Sequence, residues 1–221
     1  MRSEINPIGQ EPGRTFTETA RRAQVMAAAM DTIAELGYGQ ASLARIAEKA
    51  GTSKGVIVYH FGGKDELIRA LVAELVARGI AYMGPRIEAE PTGPGKLRAY
   101  IESNLGFMRE THNHVVAIVE IALNARAADG SPLYDFAVQD EGVAALQQLL
   151  AYFQGTGEFR AGFDSRVMAM AIRAAINAVP MQLARHPALD IGHHAREIAD
   201  LFDIATRPGE SPPEPSTSQP S

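Results

Sequence analysis

Residues 50–67, AGTSKGVIVYHFGGKDEL, restrict the fold more than any other segment. Val56, Ile57, Val58, Tyr59 and Phe61 are strand-forming types in near succession, and propensity alone makes them a β-strand. No alternating apolar–polar run elsewhere supplies a second strand, and a lone strand leaves its backbone N–H and C=O groups without partners. The flanks resolve the conflict. Ser53 is a good N-cap, Lys54 follows as the first helical residue, and Gly62-Gly63 stops the helix after two turns. At about 100° per residue, Ile57 and Phe61 share one side of that helix. Gly55, Val56 and Tyr59 fall on the other, with Lys54 and His60 near the ends. The expectation is a short helix pinned to a core by two residues, offering small, apolar, aromatic and basic groups outward.

Helical periodicity continues through most of the chain. An N-terminal helix carries Val25, Ala29 and Ile33 on one face and stops at Gly37. Ser42 caps a short helix with Leu43, Ile46, Ala47 and Ala50 at i, i+3, i+4, i+7, closed by Gly51. A long helix is expected from about Lys64 to Glu90. Further helices are expected near 95–111, 114–127, 133–154, 165–185 and 193–206, separated by THNH, ADGSP, GTGEFRAGFD and RHPALDIG. The class is all-α. The organisation is a disordered arm over 1–13, a three-helix unit over 14–66, a larger helical body over 67–206 and a disordered Pro/Ser-rich tail over 207–221.

Composition narrows the chemistry. There is no Cys, which removes disulfides and thiolate metal sites and fits a reducing compartment such as the cytoplasm. The N-terminus lacks the apolar stretch of a signal peptide. The most apolar run, 167–184, is interrupted by Arg173, Asn177 and Pro180, which argues against a membrane span. Net charge is −5, but it is uneven: residues 1–70 hold 9 Lys+Arg and 8 Asp+Glu, net +1, leaving 12 and 18, net −6, for the rest. A nucleic-acid-binding N-terminus is therefore permitted. TGPGKL lacks the first Gly and the Ser/Thr of a phosphate loop, and GYGQAS and GTGEFR lack the third Gly of a dinucleotide fingerprint. No G-x-S-x-G is present, and His112/His114 and His193/His194 lack the i, i+4 spacing of paired helical ligands. Neither an enzyme nor a cofactor or metal site is expected.

A helix, the turn AGTS and a second short helix make a helix-turn-helix, in which the second helix enters a DNA major groove. Gly55 lets that helix approach closely, Val56 suits a thymine methyl, and Lys54 reaches guanine or phosphate. Tyr59, His60 and Lys64 suit phosphates, which set register. The same spacing also fits an ordinary helical hairpin with a solvated polar face.

Residues 21–67 resemble the DNA-binding region of the TetR family of transcriptional regulators. The resemblance rests on the string 42–67 and the preceding ELGYGQA, with IAEKAG, YHF and GKDEL at their family spacing. It covers about a fifth of the chain. It implies a homodimeric, ligand-responsive regulator, usually a repressor, that binds a pseudo-palindromic double-stranded operator and a small-molecule effector. It implies DNA contacts at Ser42, Ser53, Lys54, Gly55, Val56, Tyr59, His60 and Lys64. Val58 stands where the family often has Tyr, and Gly63 where it often has Ser or Thr.

The resemblance further implies dimerisation through the last two long helices, here with Met168, Ile172, Ile198, Ala199 and Phe202 as interface residues. It places a ligand pocket among the middle helices. Polar residues stranded in apolar runs are its candidates: Glu120, Asn124, Asn104 and Asn177, with Phe107, Met108, Tyr152 and Phe153 as walls. A buried carboxylate needs a partner, so Glu120 pairs either with Arg109, Arg126 or Arg173 or with a cationic ligand. A second functional reading stands beside the regulator: a helical ligand-binding or enzymatic body whose N-terminal unit no longer binds DNA.

Overall fold

The computed structural model describes residues 16–134 and 140–209. The arm over 1–13 and all of the tail beyond Gly209 lie outside the described residues. Nine helices follow in order among the described residues: α1 (Phe16–Leu36), α2 (Leu43–Lys49), α3 (Lys54–Phe61), α4 (Lys64–Glu88), α5 (Gly93–Glu110), α6 (His112–Asn124), α7 (Asp140–Gly155), α8 (Ser165–Arg185) and α9 (Ile191–Thr206). The stretch around Val56–Phe61 is helix, as its caps require. One boundary differs from expectation. The helix expected from 133 is described from Asp140; residues 133 and 134 are not helical, and they follow a turn in which Gly130 has φ +84° and Asp129 accepts from the Ser131 N–H and hydroxyl. The chain then doubles back, with the Leu133 N–H donating to the Ala125 carbonyl at 3.1 Å.

Two apolar cores organise the chain. The first joins α1, α2, α3 and the start of α4 through Val25, Ala29, Ile33, Ile46, Ile57, Phe61, Leu67, Ile68 and Leu71. It also takes Ala117, Ile118, Ile121 and Ala125 from α6 and its end. The second joins α5, α7, α8 and α9 around Leu97, Ile101, Leu105, Leu146, Leu150, Ile172, Ile176 and Phe202, with Val115 of α6. So α6 belongs to both cores: Val115 points to the body, and Ala117, Ile121 and Ala125 to the three-helix unit. α4 bridges the same gap on another side. Its first turns lie in the first core, and its later turns run along α5.

The expected dimer residues fall on an inner face. Ile172, Ala199 and Phe202 are buried in the body's own core, and Met168 and Ile198 pack against it from its rim. The residues bare to solvent are Val167 and Met170 on α8 and Leu201 and Ile204 on α9, each more than half exposed. Ala171, Ala174 and Ala178 continue the bare stripe on α8 at helical spacing. Both helices are apolar on two faces, and one-dimensional periodicity does not say which face is inside. α8 is long and apolar enough to cross a membrane by length and composition, yet Ala169, Ile172, Ile176, Val179 and Leu183 pack it into the bundle.

Candidate nucleic-acid interface and ligand cavity

The helix-turn-helix is held by local chemistry. α2 ends in a tight return, with Gly51 at φ +61° and the Thr52 N–H donating to the Ala47 carbonyl at 2.9 Å. Gln24 of α1 donates to the Ala50 carbonyl at 3.0 Å, and Lys49 pairs with Glu35 at 2.5 Å, so the turn is tied to α1. The Ser53 hydroxyl accepts from the Val56 N–H and the Ser42 hydroxyl from the Arg45 N–H, each at 3.3 Å; both serines are N-caps. Ile57 and Phe61 are buried, which at ~1.5–3 kcal/mol per side chain fixes the roll of α3. The Arg22 guanidinium lies 4.1 Å over the Phe61 ring and donates to the His60 carbonyl, sealing the end of the helix.

That roll decides what α3 shows. Lys54, Gly55 and Tyr59 are exposed, Tyr59 by 78%; Val56 and His60 are half-buried beside them. The Tyr59 and His60 rings meet edge to face at 5.1 Å. Ser42 and Ser53 lie exposed at the starts of their helices. Seven of the eight expected contact residues are thus in or beside one outward surface. Lys64 is otherwise engaged. It is half-buried, its Nζ donates to the Tyr38 carbonyl at 2.8 Å, and it sits 4.0 Å over the Tyr38 ring. Burial holds its ammonium below the usual lysine range, against the opposing pull of Asp65. Lys64 thus braces α4 against the α1–α2 turn.

Glu120 also departs from expectation. Among the described residues it pairs with no arginine, and it is not part of the wall of the cavity in the body. Its Oε2 accepts from the Tyr38 N–H and from Asn124 Nδ2, each at 3.2 Å. Gly37, at φ +78°, makes this approach possible: a Cβ there would lie 3.2 Å from Glu120 Oε2, in a backbone region that strains any L side chain. Tyr38 is therefore gripped twice, its N–H by α6 and its C=O by α4. Asn124, expected in the ligand pocket, serves this grip.

The body holds a cavity of about 770 Å³. Of the eight expected lining residues, it brings together Asn104, Phe107, Met108 and Asn177. Tyr152 is instead exposed, and Phe153 is buried against Phe159 and the backbone of Gly93. Residues not foreseen extend the wall: Leu75, Val76, Ile80 and Met83 of α4, Tyr100 of α5, Thr111 between α5 and α6, Val115 and Ile118 of α6, Tyr134 before α7, Gly142 and Ala145 of α7, and Arg173 of α8. Arg173 donates to the Tyr100 hydroxyl at 3.1 Å and to Asn177 Oδ1 at 3.3 Å. In sequence Arg173 stands alone in an apolar run, the same signal that singled out Asn177.

Among the described residues, the helix-turn-helix and a separate, partly open cavity are joined through the shared helices α4 and α6. Residues 25–71 match the family described as "Bacterial regulatory proteins, tetR family". The chain's helix-turn-helix region is thus similar to that of the TetR family. The chain is 35% identical over 85 residues, 38% of this chain and 42% of the relative, to the HTH-type transcriptional regulator BetI 1 of Chromohalobacter salexigens. It is 26% identical over 156 residues, 65% of this chain and 71% of the relative, to the HTH-type transcriptional activator FasR of Mycolicibacterium smegmatis. In fold it is similar to the transcriptional regulator FadR of Bacillus subtilis, solved in complex with stearoyl-CoA, with a TM-score of 0.72 at 22% identity, covering 81% of this chain and 96% of that one. The chain spans less than half the length of several curated relatives it matches.

Proposed function

We propose that this protein is a dimeric, one-component transcriptional regulator acting in the cytoplasm, whose grip on a pseudo-palindromic operator changes when a small molecule enters the body cavity. The observation that carries the reading is the exposed Lys54–Gly55–Tyr59 surface on a helix whose other face is locked by Ile57 and Phe61. A groove-reading helix needs bare, mixed basic and aromatic groups on a support that does not roll. A likeness to both an activator and a regulator bound to stearoyl-CoA supports DNA binding and ligand response alike, and leaves the sign of regulation to experiment.

The dimer forms, in this reading, through the bare stripe of α8 and α9: Val167, Met170, Leu201 and Ile204. An apolar face of this extent on a monomer marks an interaction surface, and two copies related by a two-fold axis bury it symmetrically. Coupling runs through α6. Val115 and Ile118 line the cavity, and Glu120, half a turn beyond Ile118, holds the turn before α2. A ligand that displaces α6 pulls at Tyr38, and through it at α2 and the Lys64 end of α4. The test is selection of bound sequences from a random duplex pool at low salt. Enrichment of a two-fold symmetric sequence is expected; no enrichment leaves the helical body as a binding protein with an idle N-terminal unit.

A further inference from the structure

The start of α6 lies where the two cores meet. There His114 faces a notch of about 140 Å³ walled by Met26 and Met30 of α1 and by Leu71, Glu74, Leu75 and Arg78 of α4. The notch stands back to back with the body cavity: Leu75 lines both, and Val115, the residue after His114, lines the body cavity. α6 makes its largest helix contact with α1, so this seam fixes how the three-helix unit sits on the body. The His114 Nδ1 is buried and has no hydrogen-bond partner among the described residues. A bare ring nitrogen tolerates that setting. A protonated one is a buried donor carrying charge, and it needs an acceptor.

The groups around the ring pull in opposite directions. Burial first, and then Arg78 of α4, hold the imidazole below its ordinary range, with Asp31 of α1 opposing. Glu74 lies exposed on the rim, and on α6 itself His112 is exposed two residues back. Two carboxylates can therefore compensate a protonated ring, one on α1 and one on α4, and neither is hydrogen-bonded to it here. We propose that the seam is a proton-operated latch, in which protonation of His114 takes its ring out of the notch, loosens the start of α6 from α1 and α4, and weakens the grip on operator DNA. The sign follows from order. A unit that rocks on the body must be re-ordered before two copies can meet two half-sites, so proton and DNA oppose each other. The proposal rests on the reading of the chain as a DNA-binding regulator and gives that regulator a second input.

The test measures affinity of the full chain for the selected duplex from pH about 7.5 to about 5.5, at constant ionic strength and nanomolar protein. Wild type is compared with His114→Gln, which stays neutral throughout. His60 titrates on the DNA-facing surface of both proteins, so its effect cancels in their ratio. Wild type should lose about fivefold or more in affinity on acidification relative to His114→Gln. Arg78→Met, at an exposed position, removes the opposing charge and should move the loss to higher pH. Melting at the upper pH shows that each variant folds, and Arg78→Met tests the latch even where His114→Gln does not fold. Parallel profiles for wild type and His114→Gln, or an Arg78→Met profile that stays in place or moves to lower pH, overturn the proposal. A second arm reads the seam without DNA, as hydrogen-exchange protection of the amides of α1 and the first turns of α6, corrected for intrinsic rates. Protection that falls with pH in wild type and holds in His114→Gln is expected. If no duplex binds at any pH the regulator reading fails, and this arm alone upholds the latch; equal protection in both proteins overturns it.

Discussion

The helix-turn-helix and the cavity are built on opposite principles. The contact surface of α3 comes from seven consecutive residues, Lys54 to His60, and the caps and turns that orient it lie within about thirty residues on either side. The cavity draws its wall from five helices, with Leu75 and Pro180 more than a hundred residues apart. The first is a local object stabilised by caps, positive-φ glycines and two buried anchors. The second is a void left where packing of α4 to α8 is incomplete, and no local pattern marks a void. Where the two meet, at Tyr38 and along α6, single hydrogen bonds connect structures of very different origin.

If the regulator reading holds, the largest effect should come from breaking the symmetry that both regions share. Leu201→Glu with Ile204→Glu places four charges in the proposed two-fold interface. Sedimentation should then show monomers, and operator affinity should fall by ~10²–10⁴-fold as the second half-site becomes a separate binding event. The matched change Phe202→Glu should instead unfold the body, because Phe202 lies in the monomer's core. A folded monomer from Phe202→Glu, or a stable dimer from the double variant, would reverse the assignment of inner and outer faces.

The junction offers the next effect. Glu120→Leu leaves the Tyr38 N–H without its partner and should lower stability by ~1–3 kcal/mol. Glu120→Gln keeps an acceptor, so it should cost less. In both, the ligand-induced change in operator affinity should shrink from the usual ~1–3 kcal/mol of coupling toward zero, while ligand affinity itself is retained. Full coupling in Glu120→Leu would mean that the two regions communicate through α4 alone.

Val56→Ala tests the local region by itself. It should change base preference at one position by ~1–3 kcal/mol and leave ligand binding untouched. Lys54→Ala should weaken binding to every sequence and flatten the salt dependence. Lys64→Ala, by contrast, should register first in the thermal melt, because its ammonium braces Tyr38.

The smallest effect is a pH dependence at the seam. His114, at the start of α6, has a buried Nδ1 with no hydrogen-bond partner among the described residues. It faces Glu74 and Arg78 of α4 and Met26 and Met30 of α1 across a cavity of about 140 Å³. Burial, and then Arg78, push its pKa below the ordinary 6.5, with Asp31 opposing. The folded state therefore binds the proton less readily than the unfolded one. Stability from this group is complete above about 6.5 and declines as the pH falls toward the lowered folded value. His114→Gln should flatten that part of the stability curve; an unchanged slope would place the acid sensitivity elsewhere.

Much of this was legible before any coordinates. Ser53, Gly62 and the Ile57–Phe61 pair decide that a β-prone sequence is a helix and which way it faces, because capping and amphipathic spacing act over a few residues. The helix content, the breaks and the family resemblance follow from the same short-range rules. Four of the eight expected pocket residues line the cavity: Asn104, Asn177, Phe107 and Met108 sit where polar and bulky groups interrupt an apolar stripe. Glu120 and Lys64 carried signals just as clear, a charge in an apolar run and a cation after a recognition helix, yet both turn to Tyr38. Their partner is a backbone amide and carbonyl, which every residue possesses and no sequence pattern advertises. For α8 and α9, two apolar faces on each helix were visible, but the packing of α5 and α7 chose the inner one. Caps, turns and periodicity are properties of neighbours along the chain. Which face is buried, where a void remains and which backbone group a charge finds are settled only when distant segments compete for the same space.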